Sequence, residues 1–442
     1  MIVSRRTASH AFFSSKVETW ITDAVADGIA DYTGLLRRLP GVYPTELLAS
    51  LERLAASRAI DPALYATARQ EAKPVSPSGA EGRSLLPLPH PLDYEWRFTA
   101  DASRALLNHA ADLTPDGSEV LLFGTPGLAA EALTLPISRR MSLLVEPNSV
   151  TDRLVALNRA TGSPLAIAFC SGGLPRDSAD AVLLDPPWYL DFVRPMLTAA
   201  AHACRLGGFV LISLPPDGAR PTAATDRQAA ITLAKRLGLT LVERQPLSIA
   251  YETPFFERNA LRAAGIATPP QWRRGDLLVF QRVAAPCLPA PHSHRRRLWA
   301  EVVIGRMRLF ISMGANADNG DADLVSIVAG DVLPSVSRRD PRRSSANVWT
   351  SGNRVFRTNN PQLLLEAAIS CAGEAMGSGF QPWLWGTLRG GEAIERVAAE
   401  LRDLAALEAA EETGAPAETE RSAVWRLSTT ISSTGSTAIR SG

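Results

Sequence analysis

The middle of the chain alternates short apolar runs with segments of helical period. Glu119–Phe123, Met141–Val145, Pro164–Phe169, Ala181–Leu184 and Phe209–Leu214 read as strands, and Thr240–Arg244 and Asp276–Val283 as two more. Helices are expected between them over Gly127–Leu133, Ser149–Ala160, Pro195–Leu206 and Thr225–Leu237. Continuous apolar strands separated by helices predict a parallel sheet covered on both faces. Right-handed crossovers then give a doubly wound α/β domain. The last two strands lack a helix between them, which predicts antiparallel pairing with an insertion over 250–272.

The flanks read differently. Residues 1–70 carry apolar positions at helical spacing, broken by Pro40-Gly41 and restarted at Pro44. That pattern fits a helix-turn-helix or winged-helix unit, and equally a small helical bundle. Residues 71–92 are rich in Pro, Ser and Gly and read as a linker to a domain at 93–284. Residues 291–426 form a smaller α+β region with short strands, and 427–442 a Ser/Thr-rich tail expected to be flexible.

Composition narrows the function. The chain has 442 residues, 46% hydrophobic and 21% charged, with a formal net charge of +1. This is a globular balance, and nucleic-acid binding would have to come from a local patch. Such a patch stands at 291–360, where 11 Arg face 6 acids. The four cysteines, Cys170, Cys204, Cys287 and Cys371, show no metal or disulfide spacing. His292 and His294 have no acid or thiol partner at ligand spacing, so no metal is expected. With neither a signal peptide nor a long apolar span, the expectation is a cytoplasmic chain without membrane contact. Homo- or hetero-oligomers are equally compatible with it.

The sharpest chemical signal is Asp185-Pro186-Pro187-Trp188, directly after the fourth strand of the sheet. Ligands of open α/β sheets bind at the carboxyl ends of the strands. Two prolines remove two backbone donors and fix the preceding carbonyls. The corner thus offers one carboxylate, free carbonyl acceptors and an aromatic plane to a flat substrate bearing an amino group. Tyr189 would add stacking surface. The plainer reading is a tight turn in which Asp185 caps the next helix.

This corner resembles the signature of amino-group methyltransferases of the class I Rossmann-like fold, most of all the adenine-N6 enzymes, over about residues 93–283. The resemblance implies S-adenosyl-L-methionine as cofactor and assigns catalysis to Asp185, Pro186, Pro187 and Trp188. It places the methionine part of the cofactor at Phe123, Gly124 and Gly127, although Thr125-Pro126 departs from the usual glycine-rich turn. Glu146, 22 residues after Gly124, would hold the ribose, and Ser171 and Gly172 would lie near the adenine, with Asp177 or Asp180 as candidates for its amino group. The run Asp93–Phe98 would fold over the cofactor.

A nucleic-acid substrate follows from the same resemblance. Tyr251 and Phe255 are expected as exposed aromatics on the insertion. Arg338, Arg339, Arg342 and Arg343, followed by Trp349 and Arg354, would grip phosphates and stack on bases. Similar corners occur in protein-lysine methyltransferases and in polyamine aminopropyltransferases, the latter also with a helical N-terminal module. A non-catalytic nucleic-acid-binding subunit on the same fold is a further alternative, favoured by the degenerate glycine turn.

Overall fold

The computed structural model describes residues 2–74, 85–136, 138–170, 176–289, 299–314, 322–375 and 391–414. The chain divides into two compact units.

In the first unit, four helices open the chain: α1 (Ile2–Ala26), α2 (Tyr32–Arg38), α3 (Pro44–Ala56) and α4 (Pro62–Glu71). Their starts follow local chemistry. Asp31 accepts a hydrogen bond from the Gly34 amide at 2.7 Å, and Asp61 from that of Ala63 at 2.9 Å. Pro44 and Pro62 open α3 and α4, where a missing N–H costs nothing. Val17, Ile21, Leu35, Leu47 and Leu51 are fully buried between them. The same core takes in Leu261, Ile266 and Trp272 from the insertion further along the chain.

The sheet follows as α5 (Ala100–Leu113), β1 (Glu119–Phe123), α6 (Pro126–Ala132), β2 (Arg140–Val145), α7 (Ser149–Thr161), β3 (Ala166–Phe169) and β4 (Ala179–Leu184). It continues with α8 (Leu190–Ala203), β5 (Cys204–Leu214), α9 (Ala223–Arg236), β6 (Leu239–Ala250), α10 (Phe255–Ala263) and β7 (Arg274–Arg282). The strand order is β3-β2-β1-β4-β5-β7-β6, with β1 to β5 in parallel ladders. β7 inserts antiparallel between β5 and β6. This is a doubly wound, Rossmann-like α/β fold with one antiparallel strand. Side chains alternate across the sheet. Val120, Leu122 and Leu183 bury against α5, α6 and α7, while Leu121, Val182 and Leu184 bury against α8 and α9. The strand order reverses between β1 and β4, which opens the crevice of such folds at their carboxyl ends.

The second unit has five strands: β8 (Trp299–Ile304), β9 (Met307–Ser312), β10 (Val325–Ser326), β11 (Val348–Thr350) and β12 (Val355–Arg357). They pair antiparallel in the order β10-β12-β11-β9-β8. Two helices, α11 (Pro361–Ala375) and α12 (Gly391–Thr413), cover the sheet through Leu364, Ala367, Val397 and Leu401. Residue periodicity had marked the strands of this region but not these helices. The tail at 427–442 lies outside the described residues. Among the described residues no helix is long and apolar enough to cross a membrane.

The arginine-rich stretch does not have the exposed aromatic character expected of it. Trp349 is fully buried and donates its ring N–H to Asn353 at 3.2 Å. Arg354 is buried too, paired with Glu411 at 2.6 Å and near Glu408. Glu408, with 1% of its surface exposed, accepts from the Thr350 hydroxyl and the Gly352 amide. Arg342 is tied to Asp340 at 2.6 Å, and Arg343 lies 4.2 Å from the Trp349 ring centre. Arg339 is exposed. Removing one partner of a buried pair leaves an uncompensated charge. Arg354→Ala is therefore expected to cost about 3–5 kcal/mol. Arg339→Ala should stay within about 0.5 kcal/mol of the parent. Urea unfolding of both variants checks this.

Candidate active site

Asp185 follows β4, whose last four residues are all buried. Pro186 and Pro187 turn the chain sharply, and the Tyr189 amide bonds back to the Pro187 carbonyl at 2.6 Å. α8 then starts from Tyr189 with no side-chain cap. Asp185 is therefore not a helix cap. Its carboxylate accepts a hydrogen bond from the Tyr251 hydroxyl at 2.7 Å. The Tyr251 oxygen lies 2.6 Å from Ser213 Oγ. Because Tyr251 gives its proton to Asp185, Ser213 donates to Tyr251, and a single line of donors runs from β5 to β4.

Burial pushes the Asp185 carboxyl up to about 7, against the opposing pull of Tyr251, Arg273 and Ser213. Arg273 stands beside this line. Its guanidinium lies 3.8 Å from the Trp96 ring centre and 4.6 Å from that of Trp188. Tyr251 meets Trp188 edge-to-face at 5.6 Å and Trp96 at 6.4 Å. Gly275, on β7, leaves room for this cluster. A Cβ there would come within 2.7 Å of Ser213 Oγ and 3.2 Å of both the Trp188 and Tyr251 rings.

The structure gathers Asp185, Pro186, Trp188 and Tyr251 as the sequence suggests, but Tyr251 has another part than expected. It is buried, 1% exposed, and orients the carboxylate instead of offering a ring to solvent. Phe255 is likewise buried, at 2%, because the insertion folds as α10 against the rest of the unit. It is not an exposed loop aromatic. Tyr189 stands at the helix start with the Arg220 guanidinium 5.1 Å from its ring centre. The run Asp93–Phe98 does reach the site. Trp96 and Phe98 pack on Tyr251, and Arg97 pairs with Glu95 at 2.9 Å.

At the end of β1, Gly124 adopts φ +67°, a conformation that favours glycine, and a Cβ would crowd Met196 at 3.2 Å. Gly127 faces the Arg97 stem, where a Cβ would meet it at 3.2 Å. Phe123 turns its ring into the core beneath α8, leaving only its backbone to the turn. The Thr125 hydroxyl is buried without a partner and lines a small cavity with Phe98, Leu183, Leu184 and Ser213. Glu146 is exposed after β2, and its carboxylate makes no hydrogen bond or ion pair among the described residues. Ser171 and Gly172 lie outside the described residues.

Asp177 and Asp180 stand at the wrong end of the sheet for cofactor contact. Both lie at or before the start of β4, paired with Arg282 and Arg205. Two members of the site escaped sequence reasoning, Ser213 and Arg273. Ser213 is a lone hydroxyl near the end of the apolar run of β5, a signal that was available. Arg273 is one of 43 arginines and carries no such mark.

No family model matches the chain, and no curated protein matches it. Among solved structures it is similar to the branched-chain polyamine synthase of Thermus thermophilus. A C9 mutein of that protein shows 14% identity over 63% of this chain and 90% of the other, with a TM-score of 0.48. The unmodified protein shows 15% over 62% and 89%, with a TM-score of 0.45. A geranyl diphosphate methyltransferase in complex with S-adenosylmethionine shows 11% over 42% and 85%, with a TM-score of 0.31.

The site holds a second buried acid, Glu257 on α10, 0% exposed and pushed up to about 7 by burial. Between about pH 4 and 7 the folded chain keeps a proton on such a group that the unfolded chain releases. More protons bound in the folded state means that stability falls as pH rises through that window. Glu257→Gln is expected to flatten this fall, with the largest gain over the parent at or above pH 7. Thermal melts from pH 4 to 8 check it.

Proposed function

We propose that the chain is an S-adenosyl-L-methionine-dependent methyltransferase acting on an exocyclic amino group of a nucleobase, adenine N6 first. The observation that carries this reading is the Asp185 carboxylate, aimed by Tyr251 and Ser213 at the carboxyl end of β4, with Trp188 packed edge-to-face on the same Tyr251. When bound, the cofactor supplies an electrophilic methyl carbon. The fit of this chain to it rests on the glycine-favouring backbone at Gly124, the unpartnered Thr125 hydroxyl and the Glu146 carboxylate at the neighbouring strand end, which makes no hydrogen bond or ion pair among the described residues.

The chain's own residues would act on the acceptor. An aromatic amino nitrogen is a poor nucleophile because its lone pair is delocalised into the ring. Hydrogen bonds from its two N–H groups to Asp185 and to the Pro186 carbonyl favour a pyramidal nitrogen and stabilise the positive charge that develops on it. Trp188 would fix the ring plane. Tyr251 holds one Asp185 oxygen, leaving the other for the acceptor. Arg273 favours the ionised form that can accept. Holding both partners supplies the proximity term. The arginines of the second unit, Arg338, Arg339, Arg342 and Arg343, are proposed to add phosphate contacts, with Arg339 exposed among them.

A second reading keeps the fold and changes the acceptor to a linear amine, with aminopropyl transfer. The feature that favours it is the slot itself, where an aromatic pair already holds a cation within the field of two buried acids, Asp185 and Glu257. A transfer screen separates the two. Methyl-labelled S-adenosylmethionine is offered with DNA, RNA, protein and spermidine, and the decarboxylated cofactor with spermidine.

Asp185→Ala is expected to lower kcat by on the order of 10²–10³ while leaving cofactor affinity within a few-fold, because the carboxylate acts on charge present only in the transition state. A folded variant transferring methyl at near the parental rate would falsify the catalytic role. The rate should also fall about tenfold per pH unit below pH 7 as Asp185 takes up its proton. Glu146→Ala should weaken cofactor binding by about 1–3 kcal/mol in calorimetry, the cost of leaving ribose hydroxyls unpaired.

A further inference from the structure

Two ionisable groups at this site leave their best bond unmade. The Arg273 guanidinium, with five N–H donors, makes no hydrogen bond or ion pair among the described residues. The aromatic faces of Trp96 and Trp188 are what it touches. Glu257 is fully buried; its carboxylate oxygens have no close hydrogen bond, and the Tyr43 hydroxyl is the donor that acts on them. Arg273 is nevertheless the charge that acts on it most strongly, and the same guanidinium acts on Asp185. A guanidinium and a carboxylate bind each other best through two parallel hydrogen bonds. Here that pairing stays open while the guanidinium rests on the rings where an acceptor would stack.

We propose that Arg273 is a displaceable occupant of the acceptor slot, resting on Trp96 and Trp188 in the free chain and turning onto Glu257 when a flat acceptor ring takes its place against Trp188. The inference builds on the nucleobase reading above. A guanidinium is itself flat and cationic, so it shields the indole faces from water without a hydrogen bond that would have to be broken. Its transfer to Glu257 pairs a buried acid and clears the Trp188 face for the acceptor ring. Glu257 is in these terms a positioning residue, acting on the acceptor only through Arg273.

Binding of adenosine to the full-length chain, followed by tryptophan fluorescence, tests the exchange through a double-mutant cycle. Arg273→Ala should tighten adenosine binding by roughly 3- to 30-fold, since no stacked cation has to leave. Glu257→Gln should weaken binding in the parent and change nothing in the Arg273→Ala background. Arg273→Gln, which keeps a flat but neutral group, provides the same reading if the alanine variant melts early. Weaker or unchanged binding after Arg273 is removed overturns the proposal, as does a Glu257→Gln effect that persists without Arg273. Spermidine binding tightened in place of adenosine also overturns it, and moves the slot to the linear-amine reading. A chain that methylates an amine but shows no such coupling keeps the proposed function and loses this inference. Coupling without any methyl transfer has the opposite meaning.

Discussion

A carboxyl group withheld from water at the end of β4 is the constraint on which the first unit turns. Asp185 is costly to ionise where it stands, and three elements share the work of making that tolerable. β5 sends Ser213, the end of β6 sends Tyr251, and the approach to β7 sends Arg273. Each is effective only because β7 lies between β5 and β6 and brings Gly275 past the cluster with no side chain of its own. A preorganised acceptor of this kind is where a reaction that creates positive charge gains most.

The helical bundle belongs to the same arrangement. α10 presents Leu261 to the bundle core, while its Phe256 meets Trp96 edge-to-face at 5.9 Å. Trp272, next to Arg273, packs on Tyr43 from that bundle at 5.6 Å. The position of Arg273 is thus set from both sides, by the aromatic slot and by a core that the sheet alone does not possess. Sequence division at residues 71–92 separates bundle from sheet along the chain, but the insertion after β6 stitches them into one hydrophobic whole.

Much of this was legible in the residues. The apolar runs of β1, β2, β4 and β5 are continuous because helices cover both faces, and that continuity is what a parallel sheet leaves in a sequence. The Asp-Pro-Pro-Trp corner was legible because prolines and an acid directly after a strand have few other uses. The insertion was not. Tyr251, Phe255 and Phe256 look like loop aromatics until the insertion is known to fold back, Tyr251 into the sheet core, Phe256 onto Trp96 and Leu261 of α10 into the core of α1 to α4, some 200 positions earlier. Trp349 and Arg354 misled for the same reason. Interleaved arginine and aromatic residues suit a nucleic-acid surface, and they also suit a small sheet that buries an arginine against acids of a distant helix.

The place of β7 in the sheet bears on how the chain comes to be folded. β6 leaves the ribosome first, twelve residues long, yet its partner in the sheet is β7, which follows only after α10. Until Arg282 has emerged, β6 has no native neighbour, and the exposed edge of β5 has none either. Unpaired edges of that kind invite pairing with other chains. α10, between the two arms of the hairpin, buries Leu261 in the core of α1 to α4, which precede it in the chain. The closing of the sheet is thereby tied to a core outside it, since the connection between its last two strands is anchored among helices that come earlier in the chain.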